Sequence, residues 1–287
     1  MAVILAGIIL PGCTGLPAPD IKFVDHGVRY SSKPDFARVE HEHPLGAADL
    51  ARLTPETLKR YDQEQIDQIY VRLTAGIMPD GLFDGSPFLP KGNSGDENLA
   101  GIIGVLKGIT SRPQTRTLEL LANHLWHKKV FNSASRLART RIDDLVPFEH
   151  LISRDPAIPS RTAVRGKEEW LMFPARLYCG QSLLDSRRES IIIDYSYADS
   201  IPGYRKFPDY LTGRWGMEVR DEIRMVRPGF YLGRAYLGKI FFRNFTLYNE
   251  DLAKRELPMF LKRNKIRQAC WQGEQIRPIA AAPVQDR

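Results

Sequence analysis

The chain has 287 residues and a mass of 32.7 kDa, with 41 Lys and Arg against 34 Asp and Glu, a formal charge of +7 and 43% hydrophobic residues. That length holds one large domain or two small ones, and a core that needs no staple. The cations are spread along the chain instead of gathered on one helix or stripe, which argues against a nucleic-acid binder.

Residues 2–10 of MAVILAGIILPGCTG are apolar without a break. A helix needs about 20 such residues to cross a bilayer; this run has the length of a signal-peptide h-region. Leu10-Pro11-Gly12-Cys13 follows and resembles a bacterial lipobox, in which a small residue precedes a cysteine that becomes acylated. On that reading residues 1–13 are a lipoprotein signal segment and Cys13 is the lipidation site. Residues 14–45, rich in Pro, Gly, His and Asp, are then a tether. The protein would sit in the bacterial envelope, held on the periplasmic side of a membrane by its N-terminal lipid. The run has no preceding Lys or Arg and Pro11 departs from the pattern, so a cytoplasmic chain with an apolar N-terminus is the alternative. Only Cys179 and Cys270 remain to pair in an oxidising compartment, or Cys179 is a lone buried thiol.

From residue 46 to 250 the chain reads as a helical lead-in followed by a barrel-like domain. Residues 54–75 predict a helix, with Thr54 as N-cap, Pro55 at the first helical position and Leu58, Tyr61, Ile66, Ile69, Tyr70 and Leu73 on one face. Gly76 stops it, and the Gly-, Pro- and Asp-rich stretch from Pro79 predicts a strand and then a loop. Residues 115–127 predict a second amphipathic helix. From residue 169 the period changes to two. WLMFPARLYCG is one apolar run; ESIIIDYSYAD places Ile191, Ile193 and Tyr195 opposite Ile192 and Asp194. MEVRDEIRMV sets Val219, Asp221, Ile223 and Met225 against Arg220, Glu222 and Arg224. Turns at Arg227-Pro228-Gly229 and Gly238-Lys239 join this strand to FYLGRAYL and IFFRNFTLY, an antiparallel meander. Residues 251–287 begin as a basic, partly amphipathic helix to residue 267 and end as a tail that reads as disordered over 276–287.

The segments DGLFDG (80–85) and LWHKKVF (125–131) resemble the paired signature of the GXWXG-motif domain family, a G-x-W-x-G stretch followed by W-x-G-K-x-F. Phe83 stands where that pattern has its first Trp, and His127-Lys128-Lys129 replaces x-G-K, leaving Trp126, Lys129 and Phe131 in register. The later order, a strand ending Tyr178-Cys179-Gly180 and then IIIDYSYADSIPGYR, is also similar, so the likeness spans residues 79–249. The resemblance implies a small, mostly β domain akin to lipocalin-like barrels and no characterised activity.

Few residues are spaced for chemistry. His124 and His127 share a helix face, and His41 and His43 fall in the tether, but no further ligand has metal-binding spacing to either pair, so no metal is expected. Ser182 with Asp185 lacks the elbow of a hydrolase nucleophile, and no glycine loop has phosphate-cradling spacing. The densest polar set lies in the meander: Asp194, Tyr195, Asp221, Glu222, Arg224, Arg234 and Tyr236.

These features predict an α+β, mainly β fold: a curved antiparallel sheet or lipocalin-like barrel with N-terminal helices and a C-terminal helix. Its cavity would hold a hydrophobic or amphipathic small molecule or lipid without a cofactor. Phe230, Leu232, Tyr195 and Tyr236 would line it, and Arg224 and Arg234, with Glu222, would meet the polar end. The alternative is a small cofactor-free isomerase, lyase or esterase using Asp194, Asp221 and Glu222 on an apolar substrate in the same cavity.

Overall fold

The computed structural model describes residues 19–25, 33–89, 120–155 and 159–270. The apolar run at 2–10, Cys13 and the tail at 276–287 lie outside the described residues, as do residues 115–119 of the second expected helix.

One antiparallel sheet organises the chain. Its strands are β1 (Gly81–Phe88), β2 (Lys128–Asn132), β3 (Leu137–Ile142), β4 (Ser160–Val164), β5 (Lys167–Gln181), β6 (Glu189–Asp194), β7 (Val219–Arg227), β8 (Phe230–Leu237) and β9 (Ile240–Tyr248). They run in the order β3-β2-β1-β9-β8-β7-β6-β5-β4, and β3 also pairs with β5. Eight strands therefore close into a barrel and β4 hangs on β5 outside the ring. Closure removes the exposed edges of the eight ring strands and leaves the outer edge of the short β4 unpaired among the described strands. The fold is the mainly β architecture with helices expected from the period-two alternation of the last third. Strands β2, β3 and β4 are short and carry Lys, Arg, Asn and Ser among few apolar residues, so their alternation is weak.

Alternation along each strand separates two hydrophobic layers. Ile223 and Met225 of β7, and Tyr231 and Ala235 of β8, point into the bore with Ile191, Ile193 and Phe245. Val226, Phe230 and Leu232, of the opposite parity, point outward and pack against Leu58, Ile66, Ile69 and Phe260 of the helices. The bore is filled by the protein's own rings. Gly233 pairs with Phe245, and a Cβ at Gly233 would lie 2.3 Å from the Phe245 ring, which is laid across the strand. Phe83 sits edge-on to Phe131 and Tyr231, at 5.5 and 5.7 Å between centroids.

The helices α2 (Ala47–Arg52), α3 (Pro55–Leu58) and α4 (Gln63–Val71) cover the outer face of β7 to β9, and α1 (Phe36–Glu42) packs on α4. The single helix expected over 54–75 is broken in two. Asp62 accepts the Gln65 N–H at 2.8 Å and the Gln65 side chain returns to the Asp62 N–H at 3.1 Å, a reciprocal cap that starts a new helix there. The tether expected over 14–45 is also partly folded: Phe36 and Val39 of α1 are buried, and the Val24 backbone exchanges hydrogen bonds with the Gln68 amide. Shorter helices α5 (Glu149–Ile152) and α6 (Lys206–Asp209) lie in the long connections. The last helix, α7 (Glu250–Arg263), is capped by Asn249, whose side chain accepts the Leu252 N–H at 2.9 Å, and ends on Asn264 in the left-handed region. Among the described residues no helix is long and apolar enough to cross a membrane.

Candidate functional site

The residues expected to line a ligand cavity divide between the two faces of the wall. Arg224, Arg234, Tyr236, Glu222, Phe230 and Leu232 do not enter the bore; they lie on its outer face, buried beneath the helices. Arg224 donates to Ser190 Oγ at 3.0 Å and to the Tyr70 carbonyl at 3.2 Å. Arg234 is paired with Asp67 of α4 and donates to the Tyr236 hydroxyl at 3.0 Å. Glu222 accepts the Leu183 N–H at 2.9 Å and an Arg220 N–H at 3.2 Å. The Arg224 and Arg234 contacts fasten α4 to the barrel, and that of Glu222 with Leu183 ties β7 to the β5–β6 loop. The other candidates are also occupied locally. Ser182 Oγ accepts the Leu184 N–H at 3.2 Å as a turn residue, and Asp185 forms a fork with Arg187 at 2.8 and 2.9 Å. Asp194 accepts the Tyr178 hydroxyl at 2.8 Å. His124 pairs with the Leu120 carbonyl at 2.8 Å, and burial holds His127 below its ordinary pKa. Among the described residues no group of three or more His, Cys, Asp or Glu could hold a metal ion.

Tyr195 alone of the expected ligand residues reaches the bore, where it joins a charged cluster. Trp126 donates its indole N–H to Asp221 Oδ1 at 2.8 Å, and the Tyr195 hydroxyl donates to Oδ2 at 3.3 Å. Lys129 donates to the Tyr195 hydroxyl and, at 3.0 Å, to the Leu125 carbonyl; its ammonium lies 3.8 Å from Asp221 Oδ2. Lys129 and Asp221 are fully buried. Burial pushes Lys129 down, and pushes Asp221 and the Tyr195 phenol up, because each charged form loses its hydration. Phe83, Trp126, Lys129 and Phe131, from two segments about forty residues apart, thus meet in one core. The cluster has shifted acids and a base, the usual marks of a reactive site, but packed rings separate it from solvent.

Open space lies at the barrel end where β7 finishes and β8 and β1 begin. Pairing between β6 and β7 covers Ile223 but stops short of Met225, which leaves that edge to Thr74; the Met225 N–H donates to the Thr74 carbonyl at 2.8 Å. Gly76 follows at φ 74°, and a Cβ there would lie 2.4 Å from Met225 Cβ, so the close crossing requires glycine. This crossing, α7 and the strap of residues 264–270 frame the end. The strap is held by the Ala269 N–H on the Gly76 carbonyl at 2.7 Å and by a disulfide from Cys270 to Cys179 of β5, with Cα atoms 5.5 Å apart.

Between these elements is an apolar cleft of about 280 Å³, walled by Ile77, Met225, Leu252, Met259, Phe260 and Ile266. Pro228, Arg263, Lys265, Arg267 and Glu256 complete its wall. It meets a second hollow of about 400 Å³ at Ile77 and Leu252, which runs to Phe83 and Tyr231 at the mouth of the bore and to Arg255. A larger cleft of about 660 Å³ on the outer wall is mostly charged, and part of its lining is paired: Arg141 bonds Asp84 at 2.9 Å and Glu169 at 2.8 Å, and Lys128 bonds Glu169 at 3.0 Å. The end cleft escapes sequence reasoning because its walls come from residues 77, 225 and 252–267, and the only sequence signal was the amphipathic basic segment at 251–267.

The fold and cleft define a closed antiparallel barrel with a helical coat and a strapped, basic-rimmed mouth. No protein family, curated protein or solved structure matches the chain.

Proposed function

We propose that the protein binds an amphipathic, anionic small molecule such as a fatty acid or lipid at the end of its barrel, and that it does so in the bacterial envelope, anchored by acyl chains on Cys13. The observation that carries this reading is the end cleft itself. Its wall is aliphatic and aromatic, while Arg263, Lys265 and Arg267 stand around it against a single Glu256. An acyl chain would lie on Ile77, Leu252, Met259 and Ile266, and its carboxylate or phosphate would meet the guanidinium groups, which favour such anions by bidentate bonding. A disulfide between Cys179 and Cys270 supports an oxidising compartment, since such bonds are rare where thiols are kept reduced.

Titration of the purified full-length chain with fatty acids of increasing length, read by displacement of a fluorescent fatty acid, tests the proposal. Affinity should rise by about 0.8 kcal/mol, roughly fourfold, for each methylene until the cleft is full. Ile266→Asp and the pair Arg263→Glu, Arg267→Glu should each weaken binding. Absence of saturable binding at every chain length, with no lipid carried by protein purified from its host, would sink the idea.

A cofactor-free enzyme acting on an apolar substrate is the second reading, favoured by the contacts of Lys129, Asp221 and Tyr195 in the bore, which a substrate would reach by displacing the rings packed over them. Turnover of an apolar ester or ketone that is lost in Asp221→Asn, with the fold intact, would support it.

A further inference from the structure

We infer that the strapped end of the barrel, with α7, docks on an anionic lipid surface, so that the cleft opens toward the leaflet. Its purpose rests on the ligand-binding reading; the contact itself stands on charge and exposure. From Leu257 to Cys270 the chain carries Lys262, Arg263, Lys265 and Arg267 and no acidic residue. All four are exposed, and among the described residues none of them has an ion-pair partner. Some other surface arginines are paired, Arg187 and Arg188 with Glu40, Arg161 with Glu168, and Arg214 with Asp199. Arg60, Arg136 and Arg154 have no ion pair among the described residues, so what sets this segment apart is four exposed cations in six residues with no acid among them.

Helix chemistry accounts for only part of this pattern. Glu250 and Asp251 in the first turn of α7 and Lys262 and Arg263 in the last complement its dipole. Lys265 and Arg267 lie beyond the helix, where the dipole gives no reason for them. Two large apolar side chains also stand in solvent on the same helix, Met259 at 44% and Leu261 at 45% exposed. Cations with one exposed aliphatic, Met259, at the apolar opening and a second, Leu261, elsewhere on the same helix suit the headgroup region of an anionic leaflet, with the apolar members entering the acyl boundary. In that orientation an amphiphile could pass from leaflet to cleft without crossing water.

The test is co-sedimentation of the full chain carrying Cys13→Ser, which removes any acyl anchor, with vesicles of phosphatidylcholine alone or mixed with phosphatidylglycerol. Binding is expected only to the mixed vesicles and should weaken as salt is raised. Lys262→Gln should lower partitioning about fivefold, the value of one cation near an anionic surface. Adding Leu261→Asp should abolish it. Neither residue borders the cleft, so fatty-acid affinity measured without vesicles should be unchanged. Equal binding to both vesicle types, no binding at low salt, or indifference to these substitutions would overturn the docking face. Vesicle binding without fatty-acid affinity would keep it and remove the cargo; fatty-acid affinity without vesicle binding would do the reverse.

Discussion

Trp126 donates its indole N–H to Asp221, 95 residues later in the chain, at 2.8 Å in the middle of a closed barrel. The bond joins the turn that leads into β2 to strand β7. It also fixes the carboxylate that faces Lys129. A buried pair of this kind is a weak source of net stability, yet removing one partner strands the other charge. Asp221→Ala should therefore destabilise the protein by about 3–5 kcal/mol, while the double change Asp221→Asn, Lys129→Met should recover most of that loss. Urea denaturation of the two variants beside the parent gives the comparison.

Arg234 and Asp67 join barrel to coat rather than protein to ligand. Replacing Arg234 by Ala leaves Asp67 buried, and stability should fall by about 3–5 kcal/mol. The protein that remains folded should bind fatty acid with parental affinity, because Arg234 lies under α4 and the cleft lies at the barrel end. A large affinity change in a well-folded Arg234→Ala sample would return the binding site to the outer wall.

The Cys179–Cys270 bond closes a loop of 91 residues and holds the strap that carries Ile266 and Arg267. Loop-closure entropy assigns such a cross-link about 4–5 kcal/mol. Cys270→Ser should lower the denaturation midpoint and weaken fatty-acid binding together, since one wall of the cleft loses its anchor. Unchanged affinity in the folded variant would show that the strap is not part of the site.

Asp209 accepts the backbone N–H groups of Phe173 and Arg205, both at 2.8 Å, and burial raises its pKa from 3.8 to about 6. The folded state thus holds the proton more tightly than the unfolded chain. Its contribution is fully present below pH 3.8 and is lost as pH rises through about 6. A gap of that size corresponds to about 3 kcal/mol. Asp209→Asn should flatten the stability profile between those limits by about that amount, measured as denaturation midpoints across the range. An unchanged slope would mean that Asp209 is not the titrating group.

The sheet was legible where alternation is strong. Val219 to Tyr248 sets apolar residues against charged ones with two clean turns, and β7, β8 and β9 follow that pattern. Helix breaks were less legible: the cap at Asp62 competes with a continuous apolar stripe through Tyr61 and Ile66, and only the local hydrogen bonds decide between them. Phe83, Trp126, Lys129 and Phe131 stood out as a motif, but their common destination depends on β1 and β2 pairing Gly81 with Phe131.

By itself the sequence determined that a mostly β sheet would form, which strands alternate, and that residues 251–267 would be basic and amphipathic. The tertiary structure alone decided which alternating face points inward. A period of two is identical for both faces, and polarity normally breaks the tie because one face meets water. Here both faces of β7 are buried, one by the bore and one by the helical coat. Arg224 and Arg234 can lie under that coat because their hydrogen-bonding partners, the Tyr70 carbonyl and Asp67, arrive from 154 and 167 residues away. Compensation across such distances leaves no trace in local spacing.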